Sequence, residues 1–92
     1  MIAELERVLA EGVARGERVA VATIVGGPED GRRLLVWSAG ETFGNLGWPH
    51  LNQRVALWAE QLLARAPAPT AKRFDVPGRG ELEIRLDFPA RD

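Results

Sequence analysis

The run Val19-Ala20-Val21-Ala22-Thr23-Ile24-Val25 constrains the fold more than any other stretch of the chain. In an extended segment Val19, Val21, Thr23 and Val25 share one face and Ala20, Ala22 and Ile24 the other, so both faces of this β-rich run are apolar. A strand of that kind belongs in the middle of a sheet. Upstream, Ile2, Leu5, Val8, Leu9 and Val13 recur at spacings of three and four, with Glu4, Glu6, Arg7 and Glu11 between them. That spacing predicts an amphipathic helix over 2–15, ended by Gly16 with Arg15 at the negative end of its dipole. Downstream, the turn-rich Gly26-Gly27-Pro28-Glu29-Asp30-Gly31 leads to a second β-run over 32–38, and the pair reads as a hairpin. Leu35 and Trp37 oppose Leu34 and Val36, so this strand too is apolar on both sides. Helix 2–15 is placed to cover one such face; an apolar face left uncovered would be a surface for a second copy or another partner.

Ala39-Gly40 turns the chain into a third, short strand over 41–46. The stretch Phe43-Gly44-Asn45-Leu46-Gly47-Trp48-Pro49-His50-Leu51-Asn52 then reads as a strand-to-helix corner. Gly44 and Gly47 open backbone angles closed to other residues, Pro49 suits the first helical turn, and Asn45 and Asn52 are placed to bond nearby backbone groups. A helix follows over 49–65, with Leu51, Val55, Trp58 and Leu62 on one stripe, Ala59 and Leu63 widening it, and Trp58 assigned to the core. Ala66-Pro67-Ala68-Pro69 stops it. An extended run over 70–76, a turn over 77–80 and a strictly alternating strand over 81–88 complete the chain, Leu82, Ile84, Leu86 and Phe88 facing inward. The order is α-β-β-β-α-β-β. The class is α+β, one domain over 1–92 with a mixed or antiparallel sheet packed with two helices.

Composition removes several function classes. At 92 residues the chain holds one modest core, so a catalytic domain beside a binding domain does not fit. Twelve basic against thirteen acidic side chains give a formal charge of −1, which attracts neither nucleic acid nor anionic lipid. The absence of cysteine excludes disulfides, thiolate metal sites and thiol catalysis, and a single histidine argues against a self-contained zinc site. The first residues carry acids and no long apolar run, neither a secretory signal nor a membrane span, and the expectation is a soluble, cytoplasmic protein.

A helix start exposes unpaired amide donors and a partial positive charge, so the corner is where an anionic ligand such as a phosphate would sit. The plainer reading is that any β-to-α connection in a small domain needs glycine to turn. The order of elements and the corner residues together resemble the N-terminal domain of the XdhC/CoxI family. The resemblance rests on Val19–Val25, on Leu-Leu-Val-Trp-Ser-Ala-Gly-Glu-Thr-Phe-Gly over 34–44, on the Gly-x-x-Gly corner and on Gly-Glu-Leu-Glu-Ile-Arg-Leu-Asp over 80–87. In that family such a strand and hairpin lead to Gly-Ser-Ile-Gly-Gly-Gly-Cys-Leu-Glu at a helix start, and a later Cys-Gly-Gly turn precedes the last strand. Gly44, Gly47 and Leu51 match the motif, and Leu46 replaces its isoleucine. Trp48 and Pro49 stand for two glycines, His50 for the cysteine and Asn52 for the glutamate, while Gly78 and Arg79 stand for the cysteine and first glycine of the later turn, leaving Gly80.

The resemblance implies an accessory protein that binds molybdenum cofactor and delivers it to a molybdenum hydroxylase. Most members also carry a nucleotide-binding domain, which puts any nucleotide-linked function outside this chain. On that reading Gly44, Asn45, Gly47, Trp48 and His50 form the cofactor-binding site, with Trp48 stacking on a pterin and protonated His50 donating to a phosphate oxygen. The replacements fall on the positions expected to touch the ligand: an indole fills space that glycine leaves open, Pro49 lacks an amide donor, and the soft sulfur ligands are gone. The alternative reading is therefore a non-enzymatic interaction module, a homodimer or a partner-binding domain with a degenerate ligand site. An enzyme is the weakest reading, because Ser38 is the only serine, His50 the only histidine, and nothing in the spacing of Glu41, Glu60 and Asp75 requires them to meet.

Overall fold

The computed structural model describes residues 4–65 and 67–89; Ile2 and Ala66, given roles above, lie outside them. Helix α1 (Glu4–Ala14) precedes strand β1 (Val19–Val25), which forms a hairpin with β2 (Arg33–Trp37). The short strand β3 (Thr42–Gly44) leads into helix α2 (Pro49–Leu63), and β4 (Thr70–Val76) and β5 (Gly80–Asp87) close the chain. The five strands lie in the order β3-β2-β1-β5-β4, and every pairing is antiparallel. Of the two sheet types expected, the antiparallel one is formed. β1 occupies the centre because only there do both of its apolar faces leave water.

The helices take opposite faces. Ala20, Ala22 and Ile24 of β1 join Leu34, Val36, Phe74, Val76, Leu82, Ile84 and Leu86 beneath α2, whose buried stripe is Leu51, Val55, Ala59 and Leu63. Trp58 sits on the flank of that stripe and is not its anchor: it is half-buried, tilted against Phe74 at 5.4 Å between ring centroids, with the Lys72 ammonium 5.8 Å over it. A turn of 3.6 residues brings Leu51, Val55, Ala59 and Leu63 into register, and an indole pushed in among them would hold the helix off the sheet. Rising 1.5 Å per residue, α2 spans about 22 Å, close to the roughly 23 Å of a seven-residue strand. It starts beside Val76 and Pro77 at one end of the sheet and finishes with Glu60 beside Gly40 at the other.

On the second face, Val19, Val21 and Leu35 pack under Leu5, Val8, Leu9 and Val13 of α1, with Trp37 and Phe43. The second apolar face of β1 and β2 is thus covered within the chain, and the patch that motivated self-association is not an open one. Gly12 brings α1 close enough for the Trp37 indole N–H to donate to Glu17 (2.9 Å) just beyond the helix. Arg15 lies past the last helical residue and donates to Glu17 (3.1 Å); that bond holds the Glu17 carboxyl below its usual range. No helix among the described residues is long and apolar enough to cross a membrane.

Candidate functional site

Antiparallel pairing places three connections at the same end of the sheet: the β1–β2 turn, the β3–α2 corner and the β4–β5 turn. The corner bends where expected. Gly44 and Gly47 have φ of 106° and 114°, in the region that excludes most side chains. A Cβ at Gly44 would stand 2.6 Å from the Arg33 carbonyl oxygen and 2.9 Å from Leu5 Cδ1, so the corner is pressed against both β2 and α1. A Cβ at Gly47 would strike the Arg32 guanidinium.

The two asparagines occupy two of the corner's backbone donors. Asn52 Oδ1 accepts from the Leu46 amide (2.9 Å) and Asn45 Oδ1 from the Gly47 amide (2.8 Å), while Asn52 Nδ2 donates to Asn45 Oδ1 (2.9 Å). This bond set locks the bend and leaves those two amides committed to the protein. Trp48 is the residue before the helix, in extended geometry and without a side-chain cap, and Pro49 opens the first turn.

Of the five residues assigned to the site, Trp48 and His50 line a common hollow of about 170 Å³ with Pro49, Leu51, Arg54, Asp75, Val76 and Pro77. Gly44, Asn45 and Gly47 lie outside that lining and shape the bend behind it. His50 is exposed. Two arginines that sequence reasoning passed over frame Trp48. Arg32 lies 5.9 Å over its ring and donates to the Leu46 carbonyl (3.4 Å); Arg54 donates to the Asp75 carbonyl (2.8 Å) and lies 5.2 Å over Phe74. Neither has a carboxylate within ion-pairing distance among the described residues. Arg54 was within reach of the sequence, since it follows His50 by four positions and so shares its helix face. Arg32 carried no such signal.

The later turn meets the first one. Arg79 donates from Nε and Nη2 to the two oxygens of Glu29 (2.9 and 2.7 Å), a two-pronged clasp between the β4–β5 and β1–β2 turns. The hydrogen bond from Arg79 holds the Glu29 carboxyl below its ordinary value, and Glu29 raises the Arg79 guanidinium in return. Behind the clasp lies a larger hollow of about 320 Å³, whose lining mixes Arg73 and Arg79 with Glu81 and Glu83 and so presents no single sign of charge.

An antiparallel sheet with one helix on each face, a glycine corner opening the second helix and a glycine turn at the same end define a small α+β domain. The family model described as the XdhC and CoxI family matches residues 12–75, and the chain belongs to that family. The match takes in β1, the hairpin, the corner, α2 and most of β4. No curated protein matches the chain. Membership points to an accessory role in molybdenum hydroxylase maturation rather than to catalysis.

Proposed function

We propose that this chain serves molybdenum hydroxylase maturation as an interaction module, docking through the corner end of the sheet instead of enclosing the cofactor. One observation carries the reading: the corner commits the Leu46 and Gly47 amides, which flank its bend, to its own asparagines. The Leu46 and Gly47 amides are taken by Asn52 and Asn45, and the Arg32 guanidinium stands where a ligand would approach Gly47. The space that remains, about 170 Å³, is smaller than the roughly 300–1,000 Å³ of ordinary cofactor pockets. With no cysteine in the chain, the soft donors that suit a molybdenum–dithiolene centre are also missing, and the residues present do not fit an enclosed pterin.

A second reading keeps a phosphate-bearing ligand on the open surface of the corner, at Gly44, Asn45, Gly47, Trp48 and His50. What favours it is the pair Arg32 and Arg54 near Trp48, neither with a carboxylate within ion-pairing distance among the described residues. Calorimetric titration of the chain into a purified molybdenum hydroxylase subunit separates the two. Saturable heat at about micromolar concentration is the expected result. No heat, together with quenching of tryptophan fluorescence by molybdopterin alone, would replace the module by the ligand-binding reading.

A further inference from the structure

The hollow at Trp48 differs from the rest of the corner end in being apolar-walled and rimmed by one sign of charge. Pro49, Leu51, Val76 and Pro77 provide carbon surface, Trp48 an indole, and Arg54 and His50 the polar atoms. Asp75 contributes backbone: alternation along β4 puts Phe74 and Val76 toward α2 and the Asp75 side chain on the opposite sheet face. The Asp75 carbonyl already accepts from Arg54. Arg32 adds a second guanidinium on the indole.

Volume decides what enters. An enclosed space of about 150 Å³ takes one benzene ring, so about 170 Å³ seats a single six-membered ring. Charge decides what accompanies the ring. Arg54 has guanidinium N–H groups beyond the one that reaches Asp75, and a carboxylate is the planar partner that such donors bind best.

We infer that this hollow is the anchor point for a segment of the partner protein that presents one aromatic side chain beside a carboxylate. The inference rests on the module reading above and names what the module grips. The ring lies between Trp48 and the two prolines; the carboxylate meets Arg54, with Arg32 adding to the attraction. A second copy of the chain is a poor occupant, because the large exposed apolar side chains among the described residues are Val25 and Leu57, which are aliphatic.

The probe is N-acetylphenylalanine, which carries ring and carboxylate together, titrated into the intact chain while the Trp48 indole N–H resonance is followed. A saturable shift is expected, with N-acetylphenylalaninamide binding about tenfold more weakly for want of the charge-assisted bond. Arg54→Gln should bring the acid down to the level of the amide, with a thermal melt showing that the variant is folded. If the variant does not fold, the acid–amide contrast in the native chain carries the test by itself. No saturable shift, equal binding of acid and amide, or the same shift produced by inorganic phosphate alone would each overturn the anchor. Failure of the anchor and failure of the module are told apart by the hydroxylase subunit. Subunit binding indifferent to N-acetylphenylalanine and to Arg54→Gln overturns the anchor and leaves the module; a saturable hollow on a chain that binds no subunit overturns the module, and with it the subunit as the anchor's partner.

Discussion

The two faces of the sheet are built to different rules. Under α2 the apolar side chains run without a break from β2 across β1 and β5 to β4, ending in Phe74 and Val76. On the other face α1 covers only the β1–β2 side, where Val19, Val21 and Leu35 are buried; over β5 and β4 the same face carries Glu81, Glu83, Arg85 and Arg73, all exposed. The difference teaches why strands of one sheet have unlike sequences. A strand beneath a helix on each side must be apolar throughout, and a strand beneath one helix alternates. It also explains why the ends of the sheet, where the connections gather, are the places left for recognition: the α2 face is filled, and the open face pairs its charges at exposed positions such as Arg73–Glu81 and Arg85–Asp87. Exposed pairs of that kind contribute little to stability.

Truncations on the two faces test the contrast most directly. Ile84→Ala removes a fully buried side chain from the continuous core and should cost about 2–5 kcal/mol in denaturant unfolding. Leu35→Ala, equally buried but in the smaller cluster, should fall at the lower end of that range, since α1 can settle into the gap. A Leu35→Ala cost above that of Ile84→Ala would mean that α1 is seated as rigidly as α2.

The next effect concerns the seam between faces. Gly44 joins the corner to α1 through Leu5, and Gly44→Ala forces a side chain into a left-handed conformation and against the Arg33 carbonyl. A loss of about 1–3 kcal/mol is expected, read as a lower melting midpoint. Unchanged stability would show that the corner moves aside freely.

The smallest effect belongs to the Glu29–Arg79 clasp, which joins turns at the end of the sheet without burying either face. Because the Glu29 carboxyl is lowered in the folded state, its contribution is present above the ordinary glutamate value of 4.5 and is lost as the pH falls through the lowered value. Glu29→Gln should therefore reduce stability slightly near neutrality and converge on the native chain in acid. A gap between the two that persists or widens on acidification would count against the clasp.

Much of this was legible in residue order because it depends on local chemistry. The ends of β1 and β4 and the start of α2 follow from turn residues and periodicity, while β2, β3 and the end of α2 stop one or two residues inside the expected bounds; the corner follows from two glycines and a proline. Asn45 and Asn52 act on backbone within a few positions of themselves, a range over which sequence spacing is a good guide to distance. Trp58 does pack against the core, but at its edge: it falls at helical spacing with Val55 and Leu62, while the sheet selects Leu51, Val55, Ala59 and Leu63, and a wide indole fits only beside that contact.

By itself, then, the amino-acid order determined the elements, their class, the family and the bend at Gly44 and Gly47, since each is set by neighbours along the chain or by which faces must leave water. Tertiary structure alone decided that β5 lies beside β1, that α1 covers only the β1–β2 side of its face, and that Arg32, Trp48, Arg54 and Pro77 gather at one end. Those outcomes come from strand pairing between residues tens of positions apart, where the chain between them is free to take any path and only packing selects one.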